Sequence, residues 1–236
     1  MTTQELSELK AKVATCCRML YHTGLAPDYQ GHASARVPGK DLVLIKARGD
    51  IAGSLGDTRP EHIVTVDLER QLLEGAPGLA QPWETALHTE IYKARPDVGA
   101  VIHTHQLMTM AFGLAGQDIL PVWGQWKPAL VAEPMPTFDS PDLVDTPEVG
   151  AAVARALGTH WACHLRAHGV VIAGETIEDA FENAISLEKL ATLQYMAMQI
   201  GTPRPFSKEH LERNKTHRFS AMPTWNFYAR QVPLSE

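Results

Sequence analysis

Two histidines separated by a single residue end an apolar run, which reads G-A-V-I-H-T-H and contains His103 and His105. In a β-strand, residues i and i+2 point to the same face, so these two side chains would project together. Two imidazoles held side by side can bind one metal ion, each at about 2.0–2.1 Å. A strand that simply ends in polar residues has the same pattern, and the pair alone leaves both interpretations open.

Two further stretches contain residues suited to such a site. His168 lies in A-H-G-V-V, beside a glycine that permits close backbone approach, and is either a third ligand or a buried structural histidine. Glu84 opens a predicted helix after Q-P-W, with His88 one turn further along the same face. The helix dipole also favours a carboxylate at a helix start. Glu84 is therefore compatible with acid–base chemistry and with a purely structural role.

Polar and cationic residues also lie next to glycines nearer the N-terminus. G-H-A-S-A-R contains His32 and Ser34, and a glycine followed by polar residues at the start of a strand is typical of a ligand-facing turn. I-K-A-R-G contains Lys46, Arg48 and Gly49, and arginine matches a carboxylate or phosphate in a bidentate way. The alternatives are an ordinary β-turn and solvated surface charge.

Composition narrows the class of protein. The 236 residues have a formal net charge of −6, which argues against a nucleic-acid-binding surface. No apolar run reaches the roughly 18 residues needed to span a bilayer, and the polar N-terminus lacks the apolar segment of a secretory signal. Cys16 and Cys17 are adjacent and Cys163 is remote, so they form neither a disulfide framework nor a C-x-x-C site. We expect a cytoplasmic protein that binds neither nucleic acid nor membranes.

Hydrophobic periodicity, with glycine and proline boundaries, predicts the elements that must position these residues. We expect helices over 4–23, 83–95, 106–114, 147–157 and 177–200, and strands within 30–40, 41–49, 61–69 and 98–105. Residues 75–82 are predicted as a loop, 119–146 as irregular chain between short strands, and 161–174 as two short strands or one broken strand. This order predicts one α/β domain over residues 1–236, with helices on both faces of a mixed sheet.

Taken together, these stretches resemble the class II aldolase/adducin family, from the N-terminal helix to about residue 200. The most specific part is E-x-x-x-H-x-x-x-Y-x-x-R-P-D followed by A-V-I-H-T-H, which runs from Glu84 to His105. The resemblance implies a three-layer α/β/α sandwich with a largely antiparallel central sheet, and a homotetramer with active sites at subunit interfaces. It also implies that His103, His105 and His168 are metal ligands. Glu84 matches the acid–base carboxylate, which can also bind the metal.

The chain departs from the sugar-phosphate aldolases of that family where those enzymes bind phosphate. His32 stands in place of their asparagine, and A-R-G at 47–49 in place of their T-G turn. Gln125 is the nearest match to their proton-donating tyrosine. The G-H-x-S and I-K-x-R-G forms are similar to the branch that decarboxylates hydroxylated aromatic acids such as dihydroxyphthalate. The resemblance thus implies a metal-dependent carbon–carbon lyase, a decarboxylase acting on a small molecule.

This hypothesis assigns roles to the candidate residues. One divalent transition metal ion per subunit, Zn²⁺, Fe²⁺, Co²⁺ or Mn²⁺, would stabilise the charge that develops as the carboxylate leaves. Glu84 or His32 would donate the proton that replaces carbon dioxide. Arg48 with Lys46 would hold a carboxylate that stays on the substrate. The candidate substrate-binding residues are His32, Ser34, Lys46, Arg48 and Gly49.

Other interpretations remain open at the C-terminus and for the function. We expect a tail of about residues 205–236 to contact a neighbouring subunit, where Tyr228 would be a proton donor; packing of the tail is the alternative. The same metal would also serve an aldolase that cleaves an unphosphorylated hydroxy acid or aldehyde adduct. A non-catalytic, adducin-like interaction module is the third possibility, although we would expect such a module to lack the metal histidines.

Overall fold

The computed structural model describes residues 2–214 and 220–233, in which eight strands form one mixed sheet. The helices are α1 (Thr3–His22), α2 (Thr85–Ala94), α3 (Leu107–Ala115), α4 (Pro147–Leu157), α5 (Ile177–Met198), α6 (Lys208–Asn214) and α7 (Met222–Ala229). The strands are β1 (His32–Arg36), β2 (Leu42–Lys46), β3 (Ile63–Asp67), β4 (Leu72–Glu74), β5 (Ala100–Thr104), β6 (Thr137–Phe138), β7 (Ala162–Leu165) and β8 (Gly169–Gly174).

The strand order β4-β3-β2-β1-β5-β8-β7-β6 places β1 and β5 at the centre of the sheet. Every pair is antiparallel except β6–β7. Because His32 pairs with His103 across β1 and β5, the two histidines lie side by side on one face. The register of the two central strands therefore joins residues that are distant in the sequence.

Helices cover both faces of the sheet. One apolar core joins α1, α3 and α5 to the sheet, with Leu20, Phe112 and Phe181 among its buried side chains. The second core lies between the opposite face and α2 and α4, and includes Leu87 and Leu157. This confirms the expected three-layer α/β/α sandwich with a largely antiparallel sheet. None of the described helices is long and apolar enough to cross a membrane.

The elements differ from the predicted ones where local sequence is a weak guide. Strand β4 was not predicted, because its three residues are all exposed and give no alternation of polar and apolar side chains. Residues 161–174 form two strands, β7 and β8. Between residues 119 and 146 the chain makes a short 3₁₀ turn at Pro128–Val131 and the two-residue strand β6.

The tail packs on its own chain through α7. The Trp225 and Tyr228 rings lie 6.1 and 5.5 Å from the Phe181 ring of α5. The Arg18 side chain of α1 donates to the Val232 carbonyl at 3.0 Å. Contact of the tail with a neighbouring subunit stays a prediction, and its residues 215–219 and 234–236 lie outside the described part of the chain.

Candidate metal centre

Three histidines converge at one end of the central strands. His103 belongs to β5, His105 follows the end of that strand, and His168 lies in the turn between β7 and β8. The Nε2 atoms of His103 and His105 are 3.1 Å apart. One ring nitrogen from each of the three histidines lies within 4.8 Å of the other two. The structure therefore brings together the three side chains that the sequence marks as candidate ligands.

Gly169, which follows His168 in the turn, lies too close to its neighbours to carry a side chain. A Cβ atom on Gly169 would lie 2.7 Å from His105 Cδ2 and 2.8 Å from His103 Cε1. Ala167 takes a left-handed conformation, with φ of 59°, which turns the chain back from β7 into β8. The tight turn and the absence of a side chain at Gly169 allow His168 to lie close to His103 and His105.

Glu84 completes the cluster from the other side. It is the residue before α2, and its carboxylate is buried. Its Oε2 lies 3.5 Å from His103 Nε2, and its Oε1 lies 3.5 Å from His168 Nε2. Oε1 also accepts a hydrogen bond from the Val144 backbone N–H at 3.2 Å. Burial alone would raise the pKa of Glu84, but the neighbouring imidazoles of His32, His103 and His168 hold it well below its usual range.

The histidines are suited to act as neutral ligands. Burial lowers the pKa of His103 well below its usual value and also lowers that of His105, because neither ring is well solvated as a cation. His103 Nδ1 lies 3.1 Å from the Val170 carbonyl. A carbonyl only accepts, so Nδ1 carries the proton and Nε2 turns its lone pair towards the cluster.

The donor set fits a divalent transition metal. Two nitrogens 3.1 Å apart are closer than twice the usual zinc–nitrogen distance of about 2.0–2.1 Å, so one ion can contact both. His168 Nδ1 is buried, and the described residues provide it with no hydrogen-bond partner. The same is true of His164 Nδ1, and the His168 nitrogen that faces Glu84 is Nε2, so the fit to a metal depends on the types and spacing of the donor atoms. Three imidazoles and a carboxylate suit Zn²⁺, Fe²⁺, Co²⁺ or Mn²⁺.

A chain of buried polar groups runs from this centre into the protein. His32 Nε2 lies 3.6 Å from Glu84 Oε2, and His32 Nδ1 lies 2.7 Å from His88 Nε2. His88 Nδ1 is 2.7 Å from Ser34 Oγ, which is 2.7 Å from the Tyr92 hydroxyl. Ser34 is predicted to bind substrate, but in this chain of contacts it comes after His32 and His88 and contacts His88 rather than the candidate metal ligands.

Arg48 lies at the rim of the same end of the sheet. It follows the end of β2 by two residues and forms an antiparallel bridge with Ala80, in the segment that leads to Glu84. The Arg48 guanidinium is exposed, lies 3.7 Å from the centre of the Trp83 ring and donates through Nε to the Gln81 carbonyl. Trp83 directly precedes Glu84, so one short segment supports both Arg48 and the carboxylate.

Three of the predicted site residues are not brought to the histidines. Lys46 lies on the opposite face from Ser34, since the neighbouring Ile45 pairs with Ser34. Its buried ammonium group donates to the carbonyls of Ala47, Ala52 and Gly53 at 2.9–3.3 Å. This geometry corrects the expectation that Lys46 holds substrate, because its donors satisfy the backbone of the turn after β2.

Gly49 and Tyr228 have structural surroundings in this chain. Gly49 takes a φ of 125°, and a Cβ atom there would lie 2.8 Å from the Gly78 carbonyl oxygen, so its role is a close approach of two loops. The Tyr228 ring packs on Phe181 and Phe227. Trp83, in contrast, was missed as a site residue. An exposed tryptophan directly before a candidate catalytic glutamate was the available signal.

Comparison with known proteins identifies the family. The model of the class II aldolase and adducin N-terminal domain matches residues 11–195, so this chain belongs to that family. The 3,4-dihydroxyphthalate decarboxylase of Arthrobacter keyseri is 34% identical over 197 residues, which are 80% of this chain and 78% of that protein. The methylthioribulose-1-phosphate dehydratase of Pseudomonas syringae pv. syringae is 30% identical over 194 residues, covering 78% and 92% of the two chains.

A solved structure supports the fold independently. The L-fuculose 1-phosphate aldolase from Glaciozyma antarctica superposes with a TM-score of 0.82 over 96% of this chain and 90% of its own. Its sequence identity is 20%, so the likeness concerns the fold alone. The two curated relatives carry names for different reactions, and the choice between them depends on the residues around the metal centre.

Proposed function

We propose that this protein is a metal-dependent carbon–carbon lyase that decarboxylates a hydroxylated aromatic acid of the dihydroxyphthalate class. The observation that carries the proposal is the convergence of His103, His105 and His168 with the Glu84 carboxylate. The exposed Arg48 stacks on Trp83, the residue directly before Glu84. The relative named 3,4-dihydroxyphthalate decarboxylase supports the choice of substrate class. The exposed cation at the rim favours a substrate with a second carboxylate.

The three imidazoles would hold the metal ion, with the Glu84 carboxylate bound to it only while substrate is absent, so that the remaining coordination positions are left for substrate. When bound, a divalent ion supplies Lewis acidity that stabilises negative charge on substrate oxygens as the carbon–carbon bond breaks. The protein itself must then hold the substrate, exclude water and supply one proton. The proton takes the place of the departing carbon dioxide on the ring carbon, so that the overall reaction exchanges a carboxylate for a hydrogen.

Arg48 is the proposed anchor for the carboxylate that stays on the substrate. Its Nε is already bonded to the Gln81 carbonyl, and in the described residues no bond to Nη1 or Nη2 is found. Those two groups are available for bidentate pairing with a carboxylate. Stacking on Trp83 restricts the guanidinium plane, which reduces the entropy lost when substrate binds.

Glu84 and His32 are the proposed acid–base residues. Both are buried, and both face the space beside His103, with His32 and His103 ring centres 5.2 Å apart. Either can hold the proton that is delivered to the ring carbon. Tyr228 would donate a proton at this site only if it came from a neighbouring subunit. Within the same chain, its position on α7 does not support that role.

The direct test is a substrate assay with the metal-loaded protein. Hydroxylated aromatic diacids, beginning with 3,4-dihydroxyphthalate, are incubated with protein, and released carbon dioxide and the decarboxylated product are measured. We expect turnover with such a diacid, and a higher KM for Arg48→Met than for the control Arg70→Met. In parallel, unphosphorylated and phosphorylated aldol adducts are assayed for aldehyde release. Turnover of an aldol adduct without any decarboxylation would replace the proposal with the aldolase alternative.

A further inference from the structure

His88 is fully buried and touches neither the rim nor the three converging histidines in the hydrogen-bond network of the described residues. Both of its ring nitrogens are nevertheless engaged at 2.7 Å, one with His32 and the other with Ser34. Burial lowers the pKa of His88 well below its usual value, so the ring is neutral and carries one proton. Where that proton lies determines which nitrogen of His32 is protonated.

We propose that His88 is a positioning residue that fixes the tautomer of His32, so that His32 presents a protonated Nε2 to Glu84 and the substrate. The inference deepens the proposed function, since it rests on His32 as the group that faces the reacting carbon. It assigns a purpose to a buried polar chain that the metal ligands do not explain.

The direction of the chain follows from what each group can donate. If His32 Nε2 were unprotonated, its lone pair would face the Glu84 carboxylate at 3.6 Å, which is unfavourable between two acceptors. With Nε2 protonated, His32 Nδ1 must accept, so His88 Nε2 donates. His88 Nδ1 then accepts from the Ser34 hydroxyl, and Ser34 accepts from the Tyr92 hydroxyl. Each close contact then has one donor and one acceptor, and every proton points towards Glu84.

The far end of the chain favours the same direction. Burial raises the pKa of Tyr92, so its hydroxyl keeps its proton, and Ser34 Oγ at 2.7 Å is an acceptor within reach of that proton. The Ser34 hydroxyl has one weaker alternative acceptor, the Val101 carbonyl at 3.4 Å, compared with 2.7 Å to His88. A protonated phenol at one end and a carboxylate at the other favour this orientation of the intervening groups. No proton needs to travel along the chain for this positioning role.

Two substitutions at His88 test the assignment in opposite ways. In His88→Gln the amide N–H₂ can still donate to His32 Nδ1, whereas in His88→Glu an acceptor faces that nitrogen and requires it to carry a proton. We expect His88→Gln to retain kcat within about threefold and His88→Glu to lose at least about tenfold, the lower part of the range for acid–base catalysis. KM should be unchanged in both, because His88 does not touch substrate.

The decisive readout does not depend on turnover. Nitrogen-15 spectra of histidine-labelled, zinc-loaded protein distinguish a protonated Nε2 from a protonated Nδ1, and His32→Asn identifies the His32 signals. We expect a protonated Nε2 in the wild type and in His88→Gln, and a protonated Nδ1 in His88→Glu. A protonated Nδ1 in the wild type would overturn the inference even if His88→Glu failed to fold.

The outcomes separate this inference from the proposed function. The predicted tautomers in a protein that decarboxylates no aromatic acid would leave the positioning role intact and reject the proposed reaction. Decarboxylation that is lost in parallel with thermal stability in both His88 variants, with His32 unchanged in tautomer, would show that His88 only supports the fold.

Discussion

Two regions of the molecule bury histidines, and only one brings them to a carboxylate. His164 in β7 is 4% exposed, and burial alone lowers its pKa to about 4. At the candidate metal centre burial also lowers the pKa of His103, but there a Glu84 carboxylate oxygen lies 3.5 Å from His103 Nε2. No ion pair of the described chain includes His164. Burial alone thus keeps His164 neutral. At the other site, several neutral histidines lie around one carboxylate, and that arrangement can bind a metal ion.

In both regions a histidine ring lies in close contact with a glycine, so the same glycine-to-alanine substitution can be compared in the two places. A Cβ on Gly169 would lie 2.7 Å from His105 Cδ2, and a Cβ on Gly113 would lie 2.6 Å from His164 Nδ1. The same steric change can therefore be made in each region. If the account is right, the two changes affect stability in similar ways and metal binding in different ways.

Removing the carboxylate should have the largest effect on activity. We expect Glu84→Gln to lower kcat for decarboxylation of the aromatic acid substrate by at least about 100-fold, as is typical when an acid–base group is lost. The three imidazoles remain, so the variant should still bind metal. Glu90→Gln is the matched control, because Glu90 lies in α2, the helix that Glu84 directly precedes, and pairs with Lys93 at 3.0 Å. Near-normal rates in Glu84→Gln would remove Glu84 from the chemistry.

Crowding the cluster should have an intermediate effect that is seen in metal affinity. Gly169→Ala must displace His105, His103 or the Thr104 carbonyl, so we expect its affinity for zinc to fall at least about tenfold, or 1.4 kcal/mol. Gly113→Ala should leave affinity unchanged while losing stability through overpacking, by about 1–3 kcal/mol. Competition with a chelating dye measures the affinity, and equal losses in the two variants would contradict the distinction between the regions.

Replacing the isolated histidine should have the smallest effect, confined to stability. The pKa of His164 is lowered from an ordinary value of 6.5 to about 4, so between these pH values the unfolded chain binds more protons than the folded one. The contribution of His164 is therefore complete above pH 6.5 and decreases as the pH falls towards 4. His164→Asn removes this dependence, so its deficit relative to wild type should shrink by roughly 1–3 kcal/mol from pH 7 to pH 4.5.

Denaturant unfolding of both proteins across this pH range provides the measurement. Taking the difference between wild type and variant cancels the titration of the histidines that both proteins share. A deficit that stays constant with pH would mean that His164 is not held neutral by burial, and would weaken the argument that burial alone explains its pKa.

Much of the site was predictable because its chemistry is encoded in short spacings. The interval between His103 and His105 predicts a shared face at a strand end, and Glu84 stands at a helix start that fixes its position. His168 required the resemblance to the family, since its local sequence favours a buried structural histidine over a metal ligand. The three-layer fold was predictable from the order of helices and strands.

What the sequence could not provide depends on contacts between segments that are distant in the chain. Lys46 and Arg48 looked equivalent beside a glycine, but the Lys46 ammonium group donates to the carbonyls of Ala47, Ala52 and Gly53, whereas Arg48 lies beyond the end of β2 and is exposed. The contact of Ser34 with His88 joins a strand and a helix, so no local spacing predicts it. The stacking of Arg48 on Trp83 likewise joins two segments that only the fold brings together.

Metal stoichiometry tests the central claim most directly. The account predicts one divalent transition metal ion per chain in wild-type protein, retention of that ion in His164→Asn, and loss of affinity by at least about 100-fold in each of His103→Ala, His105→Ala and His168→Ala. Elemental analysis and competition titration of the folded variants supply these numbers. Wild-type affinity in any of the three alanine variants, or an equal loss in His164→Asn, would contradict a single metal centre built from these imidazoles.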